Sequence, residues 1–280
     1  MEKIPCEPSV GTDLEMFLYD NEAKKIAPCV GVLEGTKDKP YKPVGATEGF
    51  AIQEDNVMVE FNIPPAQTQA EFRNYVNTAK NMVLRELKLR HGDRYSLYTK
   101  DHTHVFEAQD LASKQAQLIG CDPDMSAYDG GSVRTNPPAP GLRRSCGGHI
   151  HLGGNFNCPD FVAALFAELY LGPITHYSED DDPRREWYGK AGIYRPKPYG
   201  IEYRTPNNKW GTDAGRTEVV GSYAITCAKY LTETDALGLQ AAFRAIPWLL
   251  LRQYIDGTTK TPQDNLNAVM RAARKAGVPV

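Results

Sequence analysis

The chain has 280 residues, with 32 lysines and arginines against 35 aspartates and glutamates, a net charge of -3 and 41% hydrophobic residues. That length is ample for a sizeable core, and the near-balanced charge excludes a surface built mainly to attract nucleic acid or an anionic membrane. No apolar run approaches a bilayer crossing, the longest (245–251) being short and holding Pro247, and no signal-peptide core opens the chain, so the reading is of a soluble, cytoplasmic protein.

Six cysteines, at positions 6, 29, 121, 146, 158 and 227, are scattered without a C-x-x-C pair, as reduced thiols are. In chain order, residues 10–19 alternate apolar and polar side chains and predict a strand with Asp13 and Glu15 on one face. A turn at 20–22 follows, then a short return strand within 28–33 and a polar loop over 34–47. Residues 57–63 predict a second clear strand, with Val57, Val59, Phe61 and Ile63 on one face and Glu60 and Asn62 on the other, ended by Pro64 and Pro65. From Gln67 to about Arg90 the period changes to that of an amphipathic helix.

Residues 95–106 read as a strand region containing His102 and His104. The turn-rich stretch from Gly120 to Ser145 predicts a long loop, and such loops often act as lids. It leads into Gly147-Gly148-His149-Ile150-His151-Leu152-Gly153-Gly154, a strand with both histidines on one face and glycine pairs at its ends. A helix is predicted over 159–171, two strand pieces over 193–195 and 200–206, and closing helices over 217–232, 239–254 and 262–276. With no repeat and no linker, the pattern predicts one domain spanning 1–280, of the α+β class, with a mainly antiparallel sheet and helices packed on one face.

Four predicted strands thus carry polar residues at period two: Asp13/Glu15, Glu60/Asn62, His149/His151 and Glu202/Arg204. A solvated sheet face explains any one such pair, but such faces favour Lys, Thr, Ser and Gln. Four clustered carboxylates would repel one another without a cation. Carboxylates with a histidine suit Mg2+ or Mn2+, and Arg195 and Arg204 suit bidentate phosphate binding. Metal plus arginine on one surface points to phosphoryl transfer from ATP. Neither G-x-x-x-x-G-K-[ST] nor G-x-G-x-x-G is present, so the nucleotide would be held on a sheet face.

The segments Gly11-Thr12-Asp13-Leu14-Glu15, Val59-Glu60-Phe61-Asn62, Gly147–Gly153 and Tyr194-Arg195 … Gly200-Ile201-Glu202-Tyr203-Arg204 resemble, in order, the phage-encoded branch of the carboxylate–amine ligases, which share the glutamine-synthetase-like fold. The resemblance implies an ATP- and Mg2+-dependent (or Mn2+-dependent) enzyme that activates a carboxylate as an acyl phosphate and joins it to an amine. It implies small-molecule or peptide substrates, the cytoplasm of a bacteriophage host as the setting, and it allows an oligomer. By position, Asp13, Glu15, Glu60, His149 and Glu202 would be metal ligands, His151 would contact nucleotide phosphate, and Arg195 and Arg204 would hold the transferring phosphate, with Glu202 also in the catalytic set. Asp13 and Asn62 depart from the family's pattern of glutamates, which would give fewer or weaker metal sites.

Three other readings fit part of this residue set. A guanidino-type kinase shares the broad fold but stops at the phosphorylated product. A zinc hydrolase would use His102, His104, His149 and His151 with Glu107, and leaves Glu60, Glu202 and both arginines without roles. A non-catalytic binding protein would be expected to have lost part of the acid–histidine–arginine set. Trp187 and Tyr188 read as core or loop packing, Cys146 as a buried thiol, and the run Glu179–Asp182 as a solvated loop.

Overall fold

The computed structural model describes residues 3–117, 124–134, 141–175 and 183–280. The first half of the chain holds β1 (Ser9–Asp20), β2 (Lys25–Ala27), β3 (Ala51–Asp55), β4 (Met58–Asn62), α1 (Gln69–His91), β5 (Tyr95–Tyr98), β6 (Thr103–Val105) and α2 (Lys114–Gln117). Then come β7 (Asp124–Ser126), β8 (Ser132–Arg134), β9 (Arg143–Ser145), β10 (Gly148–Gly153), α3 (Asp160–Thr175), β11 (Ile193–Lys197) and β12 (Gly200–Tyr203). Four helices close the chain: α4 (Ala214–Glu233), α5 (Ala236–Ala245), α6 (Trp248–Ile255) and α7 (Pro262–Lys275).

Ten strands form one sheet in the order β3-β4-β1-β10-β12-β11-β7-β8, with β2 and β5 also paired to β1. Every ladder in it is antiparallel. β1 is long enough to pair twice along its length, with β10 and β4 over its first part and with β5 and β2 over Phe17–Asp20. The class is therefore α+β, as the order of elements implies.

Along β1 the even positions Val10, Leu14, Met16 and Leu18 are fully buried and face the helices. The main core joins them to Val59, Phe61, Ile150, Leu152, Ile201 and Tyr203 from the sheet and to α1, α3 and α4. α1 starts at a capping box, Thr68 with Glu71, and buries Phe72, Val76, Ala79, Val83 and Leu87 at helical spacing. α3 buries residues all round, as a helix between a sheet and other helices must.

Several boundaries differ from the sequence reading. The return strand is Lys25–Ala27, because Pro28 cannot donate to the ladder and turns the chain. A strand not predicted, β3, pairs with β4 across a tight hairpin in which Asn56 takes φ 57°, a conformation asparagine tolerates. Residues 239–254 split into α5 and α6 at Pro247, since the residue before proline is driven out of the helical region; Ile246 has ψ 129°. Of the stretch 120–145, the described residues hold β7, β8 and β9, so its described parts are strand and turn; 120–123 and 135–140 lie outside the described residues, as does the acidic run 179–182.

Candidate active site

Strand register builds the site. Asp13 lies opposite His149 on one side and Asn62 on the other, Glu15 opposite Glu60, and Gln53 opposite Glu60 from β3. His151 faces Glu202, and Glu202 faces Arg195. All point to the side of the sheet away from the main core, because period two sends them opposite to Leu14, Ile150 and Ile201. The face is covered all the same: Glu15, Glu60, Asp124, His149, Glu202 and Arg204 are each buried.

Two acidic clusters result. Single ligand atoms of Asp13, His151 and Glu202 lie within 4.8 Å of one another, and so do those of Glu15, Asp55 and Glu60. In the first, His151 Nε2 is 3.2 Å from Asp13 Oδ1, and both atoms are buried without a hydrogen-bond partner. The other ring nitrogen, Nδ1, is 2.7 Å from the Tyr199 hydroxyl, which stacks on the ring and fixes its orientation. In the second, Gln53 donates to Glu60 at 2.5 Å and the Gly147 amide donates to Glu15 at 2.6 Å. Buried carboxylate oxygens and an imidazole nitrogen that make close charge contacts but no well-aligned hydrogen bond, in a carboxylate-rich set, fit a hard divalent cation.

The basic end adjoins the first cluster. Arg195 Nε and Arg204 Nε each lie 3.0 Å from Asp124 Oδ1. Arg204 also pairs with Glu202 and donates to the Tyr188 hydroxyl. Two guanidiniums lie against the Tyr188 ring, Arg184 at 4.5 Å and Arg204 at 5.4 Å from its centroid. Its hydroxyl is also 3.2 Å from His149 Nε2. Lys197 places its ammonium 2.6 Å from Glu202 Oε2.

Burial and neighbouring charge set the protonation states. Burial alone would raise Glu202, but Arg204 beside it holds the carboxyl down to about 2. Burial is likewise outweighed at Asp13, which the two histidines hold well below the usual carboxylate range. His149 is held down to about 4 by burial and by Arg204, so it is neutral at pH 7 and its 3.3 Å contact with Asp13 is not an ion pair. His151 moves up despite burial, because Asp13 favours its cation. In the second cluster burial, reinforced by Asp55, pushes Glu15 up to about 8, and burial with Asp13 pushes Glu60 well above its ordinary value. A cation among these three carboxylates would reverse those shifts.

The glycine pair before β10 has a specific cause. A Cβ on Gly148 would collide with the Asn207 carbonyl and the Trp210 indole nitrogen, and one on Gly147 with the His149 ring. The 206–210 loop docks here through Gly148 N–H to Pro206 O (3.0 Å) and Trp210 Nε1–H to Gly148 O (3.0 Å).

Residues 106–245, half of the chain, match the family described as phage phiEco32-like COOH.NH2 ligase-type 2. The chain belongs to this family. No curated protein matches it. The match covers β10, β11, β12 and Asp124, and so the histidine strand and the whole basic end of the cluster.

All eight residues singled out from the sequence (Asp13, Glu15, Glu60, His149, His151, Arg195, Glu202 and Arg204) stand on the one face of this ligase's sheet or at its edge. His102 and His104 do not join them: they lie by β6 in a separate two-stranded sheet, where His104 packs against Phe17 and Phe106. Sequence reasoning missed Asp55, Asp124, Lys197 and Tyr199, and gave Tyr188 a packing role. Lys197 was in principle legible, two residues beyond Arg195 and so on the same face of its strand. Asp124 sits in a turn-rich stretch with no periodicity to mark it. Cys146 is a buried thiol, pushed up by burial, as expected. Among the described residues no cysteine is in a disulfide and no helix is long and apolar enough to cross a membrane.

Proposed function

We propose that this protein, acting as one catalytic unit over residues 1–280, is an ATP- and Mg2+-dependent ligase that joins a carboxylate to an amine through an acyl phosphate. One observation carries the reading: a single sheet face is divided into a carboxylate end and a guanidinium end that meet at Glu202. Asp13, His151 and Glu202 would hold one divalent ion and Glu15, Asp55 and Glu60 a second. Here His151 and not His149 supplies the histidine ligand, since His151 joins the cluster with Asp13 and Glu202 while the ring nitrogens of His149 lie against Asp13 and Tyr188. Bound divalent ions would neutralise phosphate charge and the mutual repulsion of the carboxylates.

Arg195 and Arg204, oriented by Asp124, donate N–H groups to the oxygens of the phosphoryl group in transfer. The substrate carboxylate oxygen bonds to the γ-phosphorus as the bond to ADP breaks. The amine nitrogen then bonds to the acyl carbon, phosphate leaves, and the nitrogen loses a proton. Substrates are a small-molecule or peptide carboxylate and amine, and the host cytoplasm supplies ATP and Mg2+.

Calorimetric titration of ATP with Mg2+ into the native chain and into Glu202→Gln tests the site. Metal-dependent binding that the substitution weakens supports it; a folded native chain that binds no nucleotide in Mg2+ overturns it. Transfer of labelled carboxylate oxygen into inorganic phosphate then separates a ligase from a kinase, whose phosphoryl group stays on the product.

A further inference from the structure

Lys197 has no role in the chemistry so far, yet it contacts the residue on which both ends of the site converge. It is the last residue of β11, two beyond Arg195 and therefore on the same face. Its ammonium lies 2.6 Å from Glu202 Oε2, while Oε1 of the same carboxylate is taken by Arg204. Close as it is, Lys197 gives Oε2 no aligned hydrogen bond, and Oε2 remains a buried oxygen without one. The contact neutralises charge without filling the oxygen's directional valence.

Environment separates Lys197 from the two arginines. Arg195 and Arg204 share Asp124. Among the described residues, Glu202 is the only carboxylate within ion-pair distance of Lys197, whose side chain is 29% exposed against 0% for Glu202. A cation at the open end of its strand, on a flexible four-carbon stem, has somewhere to go.

We propose that Lys197 shares Glu202 with the divalent cation: its ammonium neutralises Glu202 in the metal-free protein, gives the carboxylate up when the ion is taken, and then binds a phosphate oxygen of the nucleotide beside Arg195 and Arg204. Lys197 is thus both a competitor for the metal and a third cation of the phosphate site. Metal and nucleotide become coupled, because the ion bound at Glu202 releases a cation for the phosphates. The nucleotide half rests on the proposed function; the metal half rests on the cluster of Asp13, His151 and Glu202 and on the contact of Lys197 with Glu202.

The test uses the full chain as wild type, Lys197→Met and Lys197→Arg, with folding checked by circular dichroism. Mn2+ binding is followed by the paramagnetic resonance of the free ion, and ATP binding by calorimetry at saturating Mn2+. Removing the competing charge is expected to tighten Mn2+ binding in Lys197→Met about tenfold and to weaken ATP binding about tenfold, with Lys197→Arg close to wild type in both. Mn2+ affinity in Lys197→Met that is unchanged or weaker, or absent from every variant, overturns the sharing of Glu202. Undiminished ATP binding overturns the phosphate role. A wild type that takes up Mn2+ but no ATP defeats the ligase reading, while the Mn2+ comparison still decides the metal half. Lys197→Gln, read in the same way, replaces the methionine variant if that fails to fold.

Discussion

Asp124 is the residue whose loss should be felt furthest. It is fully buried, and its Oδ1 lies 3.0 Å from the Nε of both Arg195 and Arg204, whose side chains are 12% and 5% exposed. Asp124→Asn keeps the shape of the side chain and removes its charge, leaving two nearly buried guanidiniums undercompensated. Breaking a buried ion pair from one side costs about 3–5 kcal/mol, far more than an exposed pair. Arg204 keeps Glu202, which places the expected loss at the lower end, about 3 kcal/mol. In a chain of this size that lowers the melting temperature by roughly 6 °C. Differential scanning calorimetry measures the shift, and a double-mutant cycle with Arg195→Met apportions it, since a direct partnership makes the two losses non-additive. An Asp124→Asn melting temperature within about 2 °C of wild type, or losses that simply add, would refute the claim that this carboxylate holds the basic end together.

Stability should also depend on pH in a set direction. Glu15, at about 8, and Glu60 and His151 all have folded pKa values raised above their unfolded ones. Each contributes stability that is present below its unfolded pKa and lost as pH rises through the folded one. Glu202, lowered to about 2, has finished titrating in both states by pH 7, and His149, lowered to about 4 in the fold, has only the upper tail of its unfolded titration, near 6.5, left above pH 7. The melting temperature of the metal-free protein should therefore fall between pH 7 and pH 9, at up to about 1.4 kcal/mol per pH unit for each group in titration, and Mg2+ should flatten the slope; a rise over that window would contradict the burial argument. Tyr199→Phe removes the hydroxyl 2.7 Å from His151 Nδ1 and should weaken Mn2+ binding about tenfold with little change in melting temperature; unchanged affinity would show that the tyrosine does not orient the ring. Gly148→Ala forces a methyl group against the Asn207 carbonyl and should cost about 1–3 kcal/mol in urea denaturation, whereas Gly257→Ala, with nothing near its Cβ, has only its own backbone strain to bear.

Which side chains share a face within each strand is legible in the amino-acid order. Asp13 with Glu15, His149 with His151, and Glu202 with Arg204 follow from period two and from the apolar residues between them, because a strand that must bury one side has no freedom to turn over. The same logic marked α1, whose apolar spacing and capping residues are local. Which strands lie side by side, and in what register, is a property of the folded sheet alone. Nothing local says that β10, whose residues pair with β1 residues more than 130 positions earlier in the chain, is its neighbour, or that His151 and not His149 meets Glu202 across the ladder. Asp124, Asp55 and Tyr199 enter the site through those long-range pairings and through hairpin ends, where no periodicity announces a role. Register is set by how the whole buried face packs, so the partners of a residue are a property of the assembled sheet, while its direction is a property of its own strand.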